Sequence, residues 1–177
     1  MIFRPTIWAA FFSILFLTGC WNSNRTKDGL YLYDAKMDRS FMLKHFAQDR
    51  FWLVADESYM YDPVDTLDTG IHSFVKKPVT FYIYYKAGKP VGFISYYYEY
   101  PFFGKIQFVD VDEKYHRQGI AKKMILSVLE RMKKEGVRSV EIVTRLINTP
   151  ALTLYEKLGF KRSHDDGKYV HLEYSFT

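Results

Sequence analysis

Alternating and helical stretches of apolar residues divide most of the chain into short elements. Val79–Tyr85 and Val91–Tyr98 alternate on either side of Ala-Gly-Lys-Pro, which predicts a β-hairpin, and Lys105–Asp112 predicts a further strand of the same sheet. The alternation in this last run breaks after Phe108, as it does in a strand that carries a β-bulge. A bulge leaves one backbone N–H unpaired and turned outward, so this strand can offer a hydrogen-bond donor to a carbonyl oxygen.

A long amphipathic helix follows this strand. From about Gly119 to Glu135 apolar residues recur at helical spacing, and Gly136 is typical of a helix end. The segment 116–121, His-Arg-Gln-Gly-Ile-Ala, therefore lies where a strand turns into a helix. Several backbone N–H groups have no partner there, and the positive end of the helix dipole points the same way. The junction is thus a candidate site for a phosphate or pyrophosphate.

The remaining elements follow from the same patterns. We expect a first strand, a helix, a short second helix within an irregular segment, a strand, a helix and a final hairpin around Asp166-Gly167. In chain order these are Leu30–Tyr33, Ser40–Leu53, 56–74, Ser139–Thr144, 149–158, and Phe160–Ser163 with Lys168–Phe176. Acidic residues are frequent in the irregular segment (Asp56, Glu57, Asp62, Asp65 and Asp68), where they either attract a cationic amine or are simply solvated.

A second motif lies about thirty residues after the junction. Residues 148–160 read Asn-Thr-Pro-Ala-Leu-Thr-Leu-Tyr-Glu-Lys-Leu-Gly-Phe. Together with segment 116–121, this resembles the two signatures of the GCN5-related N-acetyltransferase (GNAT) superfamily, Arg/Gln-x-x-Gly-x-Gly/Ala and Asn-x-x-Ala-x-x-Leu-Tyr-x-x-x-Gly-Phe. The second signature matches at every spacing, whereas the first departs from the pattern at His116. The order of elements from Leu30 to Phe176 also fits.

The resemblance implies an α/β (α+β) fold with one GNAT-like domain. Its central sheet would be mixed and mostly antiparallel, flanked by helices, with a splay between two parallel strands, here Phe108–Asp112 and Ser139–Thr144. Acetyl-coenzyme A would lie in that splay as co-substrate. The chain would be an acyl-CoA-dependent N-acetyltransferase, in which a primary amine attacks the thioester directly.

The resemblance also assigns roles to individual residues. Backbone N–H groups of the loop would hold the pyrophosphate, and two residues of the bulged strand would contact the pantetheine and polarise the thioester carbonyl. Asn148 would bond the pantetheine or the start of its helix. Tyr155 would be the general acid for the departing thiolate, the alternative being a tyrosine packed in the core. The cofactor-binding set is Val109, Val111, Arg117, Gln118, Gly119, Ile120, Ala121 and Asn148.

Two parts of the chemistry stay open at this point. The base that takes the amine proton is one of Asp110, Asp112, Glu99 and His116, or a chain of waters. The acceptor is a small-molecule or peptide amine of unknown identity. A non-enzyme alternative is a lipid-anchored surface lipoprotein that uses a GNAT-like fold as a non-catalytic binding module.

The amino-terminal segment motivates that alternative. Ile7–Trp21 is mostly apolar, follows Arg4 and includes Leu-Thr-Gly-Cys ending at Cys20, which resembles a bacterial lipoprotein signal with Cys20 as the lipidated residue. The other interpretation is an incidental thiol in an uncleaved extension. We expect a membrane-anchored lipoprotein of the cell envelope, or a cytoplasmic protein if the signal is not processed. The predicted parts are a signal peptide (1–19), a tether (20–29) and the acetyltransferase domain (30–177).

Composition narrows the partners only a little. The chain has 177 residues with 48% hydrophobic and 25% charged residues, as in a globular protein. Much of the net charge of +5 comes from residues 114–138, which suits the phosphates of coenzyme A. No nucleic-acid recognition pattern is present, and the five histidines and single cysteine have no metal-ligand spacing. A homodimer is left open.

Overall fold

A computed structural model describes residues 25–54 and 61–176 of the chain. These residues form one seven-stranded sheet in the order β1-β2-β3-β4-β5-β7-β6. The strands are β1 (Gly29–Leu32), β2 (Thr80–Lys86), β3 (Lys89–Tyr100), β4 (Phe103–Val111), β5 (Ser139–Arg145), β6 (Lys161–Asp165) and β7 (Tyr169–Ser175). The α-helices are α1 (Ala35–Gln48), α2 (Arg50–Leu53), α3 (Pro63–Thr69), α4 (Ile120–Lys134) and α5 (Thr149–Lys157).

Neighbouring strands are antiparallel except for β4 and β5, which run parallel. Their pairing extends only from Phe103 opposite Ser139 to Ile106 opposite Ile142. Both strands continue past this point without pairing to each other, and we call the gap between them the splay. The predicted mixed sheet with a splay between two parallel strands is therefore confirmed.

The two predicted hairpins form where the turn chemistry placed them. Ala87 and Gly88 join β2 to β3 with φ of 48° and 75°, as expected for a two-residue turn whose central residues are both left-handed. In the last hairpin the Asp166 carboxylate accepts hydrogen bonds from the N–H groups of Lys168 and Tyr169. Local sequence is sufficient to form both turns.

The bounds of the first helix differ from the prediction. The sequence pattern predicts one helix over Ser40–Leu53, but α1 begins at Ala35, and α2 is a separate turn. Asp34 caps α1 by accepting a hydrogen bond from the N–H of Lys36. The predicted short helix of the irregular segment is α3, capped by Asp62 with Pro63 in its first turn.

A buried ion pair ties the segment before β1 to α1. Arg25, within the predicted tether, donates to both carboxylate oxygens of Asp38 at 2.7 and 2.6 Å, and Tyr85 donates to the same carboxylate. Arg25 and Asp38 are buried, and Asp38 also accepts a hydrogen bond from the N–H of Asp34. The packed domain therefore extends at least from Arg25.

Each face of the sheet carries its own apolar core. The α4-side core includes Ile106, Ile120, Met124, Val128, Ile142, Tyr155, Phe160 and Leu172. The α1-side core includes Met42, Phe46, Ile83, Phe93, Tyr97 and Phe108. Tyr96 and Tyr97 of β3 are buried on opposite faces and pack in the two cores. Within the described ranges, no helix is long and apolar enough to cross a membrane.

Candidate active site

The free edge of β4 carries backbone groups that face the splay. The N–H of Asp112 donates to the carbonyl of Val91 at 2.9 Å, and Asp110 lies opposite Phe93 in the β3–β4 register. Because successive residues of an antiparallel strand direct their peptide groups to opposite edges, those of Val109 and Val111 face away from β3. These are the two residues that the resemblance assigns to the pantetheine contact.

The bulge of β4 lies at Gln107, one residue before the predicted break. Ser95 lies opposite Phe108 and Tyr96 opposite Ile106, so Gln107 is the extra residue. Ile106 packs in the α4-side core and Phe108 in the α1-side core, so the two are on opposite faces. The bulge comes directly after the last paired position between β4 and β5, where the splay begins.

The segment 116–121 forms an open loop, which we call the diphosphate loop. Arg117 and Gly119 have φ of 59° and 74°, and such left-handed residues direct neighbouring N–H groups to one side. Across residues 25–54 and 61–176, the N–H groups of 117–122 have no protein acceptor. A Cβ added at Gly119 would meet no heavy atom within 4 Å, so protein atoms do not fill the space beside it.

Side chains of the loop fasten it in place. His116 donates from Nε2 to the carbonyl of Val111 at 2.7 Å, which pins the loop to the end of β4. The Gln118 side chain accepts a hydrogen bond from Lys86. The departure from the family pattern at His116 is therefore compatible with an anion site, because the groups left without a protein acceptor are backbone N–H groups.

Asn148 begins α5 and has a structural role of its own. It is the N-cap residue of this helix. Its side-chain oxygen accepts from the N–H of Ala151 at 3.4 Å, and its amide nitrogen donates to the Thr144 hydroxyl at 3.1 Å. These two contacts favour the helix-start interpretation over a direct pantetheine contact.

Tyr155 is buried in the α4-side core, with 6% of its surface exposed. Its ring centroid lies 6.0 Å from that of Phe160. Burial raises the pKa of its hydroxyl above the ordinary value, so the group stays protonated across the physiological range. Among the described residues the hydroxyl has no hydrogen-bond partner, which leaves its proton available.

Asp110 is distinguished from the other candidate bases by its partner. Its carboxylate lies 2.5 Å from Nδ1 of His45, a buried residue of α1. Asp112 caps the turn after β4 through the N–H of Lys114, and Glu99 lies 3.4 Å from the Lys105 ammonium. The His116 side chain is already bonded to the Val111 carbonyl. Among the candidate carboxylates, Asp110 is therefore set apart by its contact with the His45 imidazole.

His45 carries no sequence signal of its own, because its position on α1 resembles that of an ordinary helix residue. His45, Asp49 and Asp110 bring ligand-type atoms within 4.8 Å of one another. The 2.5 Å contact is a direct hydrogen bond, shorter than the roughly 3.3 Å that separates two ligands of one tetrahedral zinc ion. The group therefore fits a proton relay better than a metal site.

The acidic residues of the irregular segment have mostly structural roles. Asp62 caps α3, and Asp68 forms an ion pair with Arg39 at 2.9 Å. Asp56 and Glu57 lie outside the described residues, as do Cys20 and the predicted signal peptide. The alternative in which these residues attract a cationic amine therefore has no support from Asp62 or Asp68.

A cavity of about 200 Å³ opens at the splay. It is lined from β4 by Lys105 and Gln107, from β5 by Glu141 and Arg145, and from α2 by Trp52. The cavity adjoins the bulge, where the free peptide groups of β4 begin. It is therefore the described cavity best placed to hold an acceptor next to an acyl group in the splay.

Comparison with known proteins agrees with this geometry. The family model described as "Acetyltransferase (GNAT) family" matches residues 39–160, more than half of the chain. The [Ribosomal protein bS18]-alanine N-acetyltransferase of Escherichia coli K12 is 33% identical over 55 residues, which cover 31% of this chain and 37% of that protein. The probable N-acetyltransferase family 8 member 5 of Mus musculus is 32% identical over 82 residues, covering 38% and 35%. The matched part thus spans little more than a third of these relatives.

Solved structures share the fold at low sequence identity. Ard1 from Thermoplasma volcanium superposes with a TM-score of 0.66 at 19% identity, covering 85% of this chain and 98% of that one. The PaiA N-acetyltransferase from Thermoplasma acidophilum, solved in complex with coenzyme A, gives 0.65 at 16% identity, covering 85% and 99%. The predicted fold class is confirmed, and this chain belongs to the GNAT acetyltransferase family.

Proposed function

We propose that the protein is an N-acetyltransferase that moves an acetyl group from acetyl-coenzyme A to a primary amine. The observation that carries the proposal is the row of backbone N–H groups at residues 117–122 without protein acceptors, beside the splay. Such a row at a helix start suits a diphosphate. The relative from Escherichia coli is named for acetylation of a ribosomal-protein alanine, which supports an amine acceptor.

The described residues fit this co-substrate. Arg117, Lys122 and Lys123 are exposed around the diphosphate loop and add positive charge near its N–H groups. The splay offers the peptide groups of Val109 and the N–H of Val111 to an extended arm, while the Val111 carbonyl already accepts from His116. Acetyl-coenzyme A supplies an acyl group activated as a thioester. A backbone N–H beside its carbonyl oxygen would stabilise the charge that develops there during attack.

Proton transfer completes the reaction. As the amine nitrogen bonds to the acyl carbon and the C–S bond breaks, Asp110 accepts the amine proton, and His45 stabilises the carboxylate through Nδ1. Tyr155 gives its hydroxyl proton to the departing sulfur. Both groups are on elements that flank the splay, Asp110 on β4 and Tyr155 on α5.

Two measurements test the proposal. Coenzyme A at millimolar concentration should raise the melting temperature of the protein, because it binds the native state. Acetyl-coenzyme A with an amine panel should release free thiol. A protein that shows no thermal shift at millimolar coenzyme A would contradict the proposed function and favour a non-catalytic binding module.

The location of the protein is a separate proposal. The lone Cys20 after an apolar stretch supports export and lipid anchoring at the cell envelope. In cells, the wild type should incorporate labelled fatty acid and lose residues 1–19, and Cys20→Ala should do neither. A wild type that is unlabelled and recovered uncleaved would refute the anchor and leave the acetyltransferase proposal untouched.

A further inference from the structure

The hydrogen bonds of a buried histidine determine which way the bulge residue Gln107 presents its amide. His72 is fully buried, and its Nδ1 accepts hydrogen bonds from the N–H groups of Phe74 and Val75 at 3.1 and 3.2 Å. A ring nitrogen that accepts carries no proton. Desolvation by burial lowers the pKa of His72 to about 4, so the ring is neutral and its proton lies on Nε2.

The amide end of Gln107 lies 2.6 Å from this Nε2. Because Nε2–H is a donor, the amide atom that faces it has to be the oxygen, and the NH₂ group is then on the opposite side. The terminal atom on that side is buried and has no hydrogen-bond partner in the described part of the chain. Gln107 therefore carries a buried, unpaired NH₂ donor, and it is one of the residues of β4 that line the cavity.

A second unpaired group lines the same cavity. The hydroxyl of Tyr169 is buried without a hydrogen-bond partner among the described residues. Glu141 is the one carboxylate among the described lining residues, and it is bonded to Lys105 at 3.2 Å and to His171. The two unpaired polar groups, the Gln107 NH₂ and the Tyr169 hydroxyl, can thus donate hydrogen bonds. The Glu141 carboxylate already has partners in Lys105 and His171.

We propose that the cavity recognises an oxygen acceptor next to the reactive amine, a carbonyl or carboxylate, so that the acceptor is an α-aminoacyl group. This inference rests on the proposed acetyl transfer and names its substrate class. Gln107 NH₂ and Tyr169 OH donate to the acceptor oxygen and so position the amine. A polyamine carries only donors and offers these groups no oxygen. The same chemistry belongs to a free amino acid and to the first residue of a peptide.

The test compares acceptors matched in shape. Alanine, alaninamide, an alanine-initiated tripeptide, isopropylamine and spermidine are acetylated under identical conditions, and kcat/KM is expressed per neutral amine. The kcat/KM of alaninamide should exceed that of isopropylamine, which has a methyl group in place of the carboxamide, by about 10-fold or more. The ratio of kcat/KM for alanine to that for the tripeptide shows whether the cavity prefers a carboxylate or a peptide carbonyl. Equal rates for alaninamide and isopropylamine, or a preference for spermidine, would overturn the inference.

Gln107→Glu is the decisive variant because it keeps the shape of the side chain and replaces the donor with a charged acceptor. One oxygen of the new carboxylate still accepts from His72, and the other replaces NH₂ in the cavity. The ratio of kcat/KM for alaninamide to that for isopropylamine should fall by about 10-fold, and kcat/KM for spermidine should rise. Gln48→Glu, the same change at an exposed residue of α1, should leave the ratio unchanged. An unchanged ratio in Gln107→Glu would refute the role of Gln107.

Two further measurements keep the outcome decisive. Gln107→Leu removes the donor without adding charge and should bring the ratio close to one. Alaninamide should add a thermal shift at saturating coenzyme A in the wild type, and isopropylamine should not, so that a preparation without turnover still decides the matter. Absence of the coenzyme A shift itself refutes the proposed function, whereas a coenzyme A shift without discrimination between these amines refutes only the acceptor class.

Discussion

The diphosphate loop and the cavity lie at the same splay but are built from different kinds of groups. The loop uses backbone N–H groups from one continuous segment, 116–121, whose open turn depends on the left-handed residues Arg117 and Gly119. The cavity uses side chains from α2, β4, β5 and β7, which are far apart in the chain. A backbone site tolerates changes of side chain, and a side-chain site does not. The proposed co-substrate site should therefore tolerate side-chain changes, whereas the proposed acceptor site should not.

The largest expected effect is in the loop. Gly119→Glu should weaken coenzyme A binding by at least about 100-fold, because a carboxylate would enter the space beside the free N–H groups and repel the phosphates. Gly136→Glu is the matched control, since Gly136 also has a positive φ of 83° and open space around its Cβ position. Titration of both folded variants with coenzyme A checks this. Equal affinities would show that the loop does not bind the diphosphate.

Asp110→Asn tests the side-chain half of the comparison. It should lower kcat by about 100-fold while coenzyme A affinity stays the same, because it removes a proton acceptor and keeps the shape. Asp112→Asn is the control, as its carboxylate caps the turn that ends at Tyr115 and does not contact His45. Steady-state kinetics over pH give the comparison. An equal loss of kcat in the two variants would show that Asp110 is not the base.

A smaller effect is expected at Tyr155. Tyr155→Phe should spare coenzyme A binding and lower kcat by about 10-fold, because the thiolate then leaves without a nearby donor. Tyr174→Phe is matched to it, since its ring also packs on Phe160, with centroids 5.4 Å apart. Unchanged turnover in Tyr155→Phe would make Tyr155 a packing residue of the α4-side core.

The smallest effect concerns Asn148, which caps α5 and which the resemblance also assigns to a pantetheine contact. As a helix cap it should cost about 1 kcal/mol on mutation to alanine, which lowers Tm by about 2–4 °C, with coenzyme A affinity unchanged. Thr149→Ala, at the exposed neighbouring position, should change Tm less. A ten-fold loss of coenzyme A affinity in Asn148→Ala would instead place Asn148 in the co-substrate site.

Local patterns predicted most elements because the information lies within each segment. The Ala87-Gly88 turn and α4 followed directly from turn chemistry and helical periodicity. The start of α1 was missed by five residues, since its first turn is stabilised by the buried pair of Asp38 with Arg25, which no local pattern reveals. The bulge was expected, but its position at Gln107 depends on the register with β3.

The sequence by itself determined the family, the strand–loop–helix junction and Gly119 within it, because these depend on residues close together in the chain. Only the tertiary structure paired His45 with Asp110 and oriented the amide of Gln107 against His72. Those contacts join residues 65 and 35 positions apart. Proton transfer and acceptor recognition depend on distances of a few ångströms, and such distances between remote residues exist only once the sheet and both cores have assembled.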